Sequence, residues 1–108
     1  MFLLRGSHED ETINRYMGFG DECQTKLKEN IDDPNSFFKR SNKIFEKLPL
    51  AALVDDSILC VHSGIGTTLA SIEEIAAIQR PLKISHDPSN KTEKIVYDLL
   101  WSDPCRGK

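Results

Sequence analysis

No stretch of this 108-residue chain is apolar for long enough to span a membrane. The opening MFLL is too short for a signal-peptide core and runs straight into RGSHEDE. Cysteine is scarce: Cys23, Cys60 and Cys105 show no paired metal-ligand spacing. Their odd number and wide separation fit reduced thiols, and Cys60, inside ILCV, reads as a small buried apolar residue. An excess of basic charge is missing too. The 14 Lys and Arg are scattered and outnumbered by 17 Asp and Glu, which speaks against a nucleic-acid partner. There is no phosphate-cradling P-loop, no dinucleotide fingerprint and no Gly-x-Ser-x-Gly nucleophile elbow. These absences point to a cytoplasmic or nuclear protein with neither a membrane nor a nucleic-acid partner, and the length allows at most one modest domain, residues 1–108.

What is present reads as an α/β pattern. Residues 2–5 look like the end of a strand, and Asp10 and Glu11 sit where a helix N-terminus favours negative charge. Ile13, Tyr16, Met17, Cys23 and Leu27 have partial helical spacing, weakened or broken by Gly18 and Gly20. A cleaner helix is expected from DDPNSFF, with Asp33 as N-cap and Pro34 as first helical residue. Its face would be Phe37, Phe38, Ser41, Ile44, Phe45 and Leu48. Pro49 stops it. LAALV and SILCV, divided by Asp55 and Asp56, then read as a hairpin covered on both sides, since their apolar residues do not alternate. A capping box, Ser71 with Glu74, opens another helix that Pro81 ends. KISHDPSNK is loop, TEKIVYDLLW is strand or helix, and SDPCRGK stops without a closing element. Strand-like ends with no neighbours inside the chain are a liability, so the sequence reads as a piece of something longer.

Two histidines share a placement. His8 and His62 each follow an expected strand and enter a small-residue loop, where α/β proteins gather functional groups. An imidazole there can ligate a metal or deliver a proton near neutral pH. Two solvent-exposed loop histidines fit the position equally well. His86, in SHDP, reads as a surface residue. Glu9, Asp10 and Glu11 have the charge to bind a cation, but a solvated helix start already accounts for them. Trp101, near the apolar end of LLWSDP, reads as core.

Taken in order, LLRGSHE, INRYMGFGDEC, LPLAALVDDSILCVHSGIG, IEEIAAIQRP and DLLWSDP resemble the PPP family of metal-dependent protein serine/threonine phosphatases. The resemblance covers residues 3–104 in family order. GIG after His62 and IQRP at 78–81 resemble the Kelch-repeat-bearing branch. It implies an α/β fold: the central, incomplete portion of a calcineurin-like metallophosphatase β-sandwich with flanking helices. It also implies hydrolysis of phosphoserine and phosphothreonine in a phosphoprotein substrate, with two divalent metals (manganese, or iron and zinc) and an attacking water. By the same resemblance His8 matches the histidine that protonates the leaving oxygen, in a motif that Arg5 opens. His62 matches a metal ligand. Ile13 falls on a hydrophobic groove, Arg5 is placed with it at that groove, and Trp101 and Asp103 border the same cleft. A regulatory subunit or a Kelch domain is the partner it implies.

Three departures stand against that pattern. Ser7 occupies the place of a metal-ligating asparagine, and a neutral hydroxyl has a shorter reach and is an uncommon ligand. Ser63 replaces a glycine after the ligand histidine, a mild change unless that backbone needs positive φ. The family's upstream aspartate motifs would precede Met1, and its last metal histidine and phosphate-clamping arginine would follow Lys108. Arg106 comes too early to stand in for that arginine. The residues therefore imply a phosphatase that works only within a longer parent, or a catalytically impaired pseudophosphatase or binding module that keeps the fold and groove.

Overall fold

A computed structural model describes residues 1–105. Seven elements run along it: α1 (Glu11–Asn14), α2 (Phe19–Lys26), α3 (Phe37–Phe45), β1 (Ala51–Val54), β2 (Ile58–Val61), α4 (Ile72–Ala76) and α5 (Lys91–Trp101). They divide into two compact units, each with its own logic. One takes Met1–Gly6, Pro49–Gln79 and the chain from Ile84; the other takes Ser7–Leu48 and Arg80–Lys83.

In the first unit the hairpin forms where the two aspartates predict it. β1 and β2 pair antiparallel, Ala51 opposite Val61 and Val54 opposite Ile58. Ser57 N donates to Val54 O at 3.0 Å, and Asp55 and Asp56 both take positive φ, +48° and +50°. Such mirror-image turns match the twist of the flanking strands, and aspartate tolerates them better than most residues. The expectation of cover on both sides fails. Leu53, Val54 and Ile58 are exposed, because among the described residues this two-stranded sheet packs no further strand against its turn end. Residues 2–5 form no strand either. Arg5 N donates to Pro49 O at 2.9 Å, but no strand ladder joins residues 2–5 to the hairpin.

The capping box at α4 is present: the Glu74 carboxylate accepts from Ser71 N at 3.3 Å and from Ala70 N at 2.7 Å, and it also pairs with Lys91. TEKIVYDLLW resolves as a helix. Asn90 caps it by accepting from Glu93 N at 2.9 Å, and the Glu93 carboxylate reaches back to Ser89 N at 2.8 Å. Ile95, Val96, Leu99 and Leu100 are all buried, one helical stripe at i, i+1, i+4 and i+5. With Leu50 and Ile75 they are the buried apolar side chains of this unit. SDPC, after α5, is irregular, as expected, and residues 106–108, with Arg106, lie outside the described residues.

In the second unit Asp10 caps α1 through Thr12 N at 3.3 Å. The chain breaks at Gly18, whose φ of +108° excludes most side chains, and α2 starts at the next residue. The cap of α3 is displaced from the expected one. Ser36, not Asp33, is the N-cap, with its Oγ accepting from Lys39 N at 3.1 Å. Glu29 supplies the rest, its two carboxylate oxygens accepting from Phe37 N (2.8 Å) and Phe38 N (3.1 Å). Asp33 instead accepts from Asn35 N at 2.8 Å, and its carbonyl accepts from Ser36 N at 3.0 Å. That makes residues 33–36 a turn, with Pro34 at the second position, where its fixed φ is preferred.

The buried face of α3 is Phe38 and Asn42; Phe37 and Ile44, expected inside, are exposed. Phe19 on α2 meets the rings of Phe38 at 5.7 Å, Phe45 at 6.1 Å and Phe37 at 6.4 Å. Around this cluster runs an ion-pair network. Arg15 Nη2 lies 3.2 Å from Glu11 and 2.9 Å from Asp32, Lys39 Nζ lies 2.5 Å from Glu11, and the Arg15 guanidinium sits 5.4 Å over the Phe38 ring. Burial pushes the Glu11 carboxyl up, but the hydrogen bonds from Lys39 and Arg15 outweigh it and hold it below the ordinary value. Asp32 and Glu11 hold the Arg15 guanidinium above its own. Glu11 therefore has cations of its own chain as partners. Cys23 is buried in the same unit, and burial, with Glu29 and Glu22 nearby, pushes its thiol up. Among the described residues no helix is long and apolar enough to cross a membrane.

Candidate active site

The residues singled out in the sequence divide between the units. Ser7, His8 and Ile13 belong to the second; Arg5, His62, Trp101 and Asp103 belong to the first.

Ser7 and His8 form a turn ahead of α1, with His8 exposed and Ser7 half-buried. The turn is fixed from behind. Asn14 Nδ2 donates to the His8 carbonyl at 3.1 Å and to Asn42 Oδ1 at 2.7 Å. Asn42 Nδ2 returns a bond to Asn14 Oδ1 at 3.2 Å and donates to Phe38 O at 3.1 Å. Both asparagines are buried. Sequence reasoning missed this pair, which is 28 residues apart. Its one trace is a polar residue, Asn42, four positions after Phe38 on a face that ought to be apolar. Ile13, the expected groove residue, is half-buried on α1.

In the first unit His62 is exposed at the exit of β2. The loop behind it is tied to the C-terminal turn of α5, whose last carbonyls have no partner inside the helix. Ser63 N donates to Leu99 O and Ser63 Oγ donates to Leu100 O, both at 3.0 Å. The serine read as a mild loss is thus a tether. Downstream, a Cβ on Gly66 would lie 1.9 Å from Asp98 Oδ2, so only glycine lets the loop pass that carboxylate undisturbed. Arg5 lies in the interior, 2 % exposed, rather than on an open groove wall. Trp101 is half-buried, not core, and its Nε1–H is buried without a hydrogen-bond partner. Its ring stacks on Tyr97 at 6.4 Å and meets His86 edge-on at 6.2 Å. His86 is exposed, as expected, though in ring contact. Asp103 is exposed just beyond α5.

The family model for calcineurin-like phosphoesterases matches residues 1–108. The chain belongs to the calcineurin-like phosphoesterase family. Among solved structures it is similar to a protein serine/threonine phosphatase from Saccharomyces cerevisiae, itself described as similar to human phosphatase PP5. The two superpose with a TM-score of 0.76 at 31% identity, over 98% of this chain and 30% of that one. The chain therefore spans less than a third of the structure it matches. It carries a fragment of the α/β metallophosphatase fold, with helices and a small antiparallel sheet.

The family generally uses divalent metals. Among the described residues no three His, Cys, Asp or Glu side chains gather as a metal-binding group. The expected donors, the His62 imidazole and the Ser7 hydroxyl, are two groups in separate units, and two such donors do not complete a divalent site.

Proposed function

We propose that this chain is part of a protein serine/threonine phosphatase, one that cleaves phosphoserine and phosphothreonine esters in proteins. The observation that carries the reading is the match to a serine/threonine phosphatase over nearly the whole chain at 31% identity. In the proposed reaction water attacks phosphorus in line while the bond to the serine or threonine oxygen breaks. His8, exposed on a turn held from behind, hands that oxygen a proton; imidazole suits the task because its ordinary pKa is near neutrality. Ile13, Trp101 and Asp103 belong to the proposed substrate groove. A manganese pair, or iron with zinc, is part of the same proposal, with His62 and Ser7 as this chain's contribution and the remaining ligands outside it. A phosphoprotein substrate, a regulatory subunit or Kelch domain as partner, the Kelch-bearing branch and a cytoplasmic or nuclear setting complete it.

Ser7 favours a second reading, a pseudophosphatase or binding module, because a serine hydroxyl is a poor substitute for an amide oxygen as a metal ligand. One experiment separates the two. The chain joined to the rest of its catalytic domain is assayed on a phosphorylated peptide with added manganese, beside Ser7→Asn and His8→Asn. Turnover that His8→Asn abolishes supports the phosphatase. A protein that is inert and stays inert with Ser7→Asn refutes it and leaves the binding module.

A further inference from the structure

We propose that the Asn14–Asn42 amide pair is the positioning device of the His8 turn, a role that rests on the reading of His8 as proton donor. The ring of His8 is exposed, so the place from which it reaches out is set by the backbone that carries it. That backbone is held at the histidine and again two residues downstream. Downstream, the Asp10 carbonyl accepts from Ile13 N (3.0 Å) and Asn14 N (2.8 Å). At the histidine itself the carbonyl oxygen accepts from Asn14 Nδ2, and because the peptide group is planar, fixing that oxygen fixes the plane that follows His8.

The pair leaves no freedom in its own orientation. Each amide nitrogen carries two N–H groups, and all four are engaged: Asn14 to His8 O and Asn42 Oδ1, Asn42 to Asn14 Oδ1 and Phe38 O. Turning either amide over would set oxygen against oxygen at 3.1 Å or nearer. A rigid path therefore runs from Phe38, fully buried on α3, through Asn42 and Asn14 to the His8 carbonyl. Stability alone does not explain two amides 3 % and 4 % exposed, since apolar side chains of like volume fill such a space without desolvating polar groups. The arrangement is explained by what it points at.

The test reads His8 directly in the isotope-labelled chain by NMR. In the native sequence a through-bond coupling from the Asn14 side-chain nitrogen to the His8 carbonyl carbon is expected, and its absence overturns the proposal whatever the variants do. Asn42→Ala removes the far end of the path without touching His8. It is expected to lower the backbone order parameter at His8 from about 0.85 to below about 0.6 and to shift the His8 carbonyl resonance, with the Cys23 resonances in place. Exposed Asn35→Ala should do neither. If the pair were only internal glue, Asn42→Ala would lower the unfolding midpoint and leave His8 as rigid as before, which also overturns the proposal. None of these readouts requires turnover, so the phosphatase reading and the positioning role fail independently.

Discussion

Gly20→Ala opposes two rules in one substitution. Gly20 is the second residue of α2, and replacing a helical glycine by alanine ordinarily stabilises by up to about 1 kcal/mol, because alanine loses less backbone freedom on folding. Here the new Cβ would stand 2.5 Å from the Arg15 carbonyl oxygen and 3.1 Å from Arg15 Cα, well inside contact distance and against backbone. Arg15 is poorly placed to retreat. Its N–H is bonded to Glu11 O at 3.2 Å, its guanidinium holds Glu11 and Asp32, and it lies over Phe38. Forcing extra volume into such a site costs about 1–3 kcal/mol, occasionally more, and the absence of slack puts Gly20→Ala at the upper end. The expected net is a loss of about 1–2 kcal/mol, or a fall in Tm of about 4–8 °C for each kcal/mol in a domain of this size. Urea unfolding followed by circular dichroism measures it, with exposed Gln24→Ala in the same helix as the propensity control. A Gly20→Ala chain as stable as the native one, or more so, refutes the reasoning.

Ser63→Ala removes the bond to Leu100 O and should cost about 1 kcal/mol in chemical denaturation, while Ser63→Thr keeps a hydroxyl and restores most of it. Asp56→Gly should stabilise by about 0.5–1 kcal/mol, because glycine takes the positive φ of that turn without strain; a lower unfolding midpoint would count against the turn geometry. Glu11 gives a pH dependence. Its carboxyl is held below the ordinary value of 4.5, so its contribution is complete above that pH and is lost as pH falls through the lower, folded-state value. Native stability should therefore drop more steeply below about pH 4.5 than that of Glu11→Gln, by at most about 1 kcal/mol since the pair is partly screened by solvent; parallel acid profiles would refute it.

Local chemistry was legible in the sequence; distant pairing was not. Two adjacent aspartates between apolar runs announced the hairpin, and Ser71 with Glu74 announced the start of α4, because each depends on neighbours a few residues apart. The α3 cap was misplaced because Glu29, eight and nine residues before the amides it accepts from, does work that the sequence suggested for Asp33. TEKIVYDLLW has no periodic distinction between a buried strand and a buried helix, and the Asn90 cap with an eleven-residue length settles it. At the candidate site, the turn carrying His8 and the loop carrying His62 were visible as small-residue exits from apolar runs. What holds them, an asparagine pair spanning 28 residues and a serine bonded 37 residues away, shows locally only as Asn42 on a face that ought to be apolar.

The burial of Cys23 makes the chain its own stopwatch. Cys105 is exposed and Cys23 is 3 % exposed, with a thiol that resists ionisation. An alkylating reagent meets the first at once and the second only in molecules whose α2 has come loose. Mass spectrometry of the Cys23 and Cys105 peptides, sampled over minutes and read apart from that of half-buried Cys60, then gives the frequency of those excursions without any added dye.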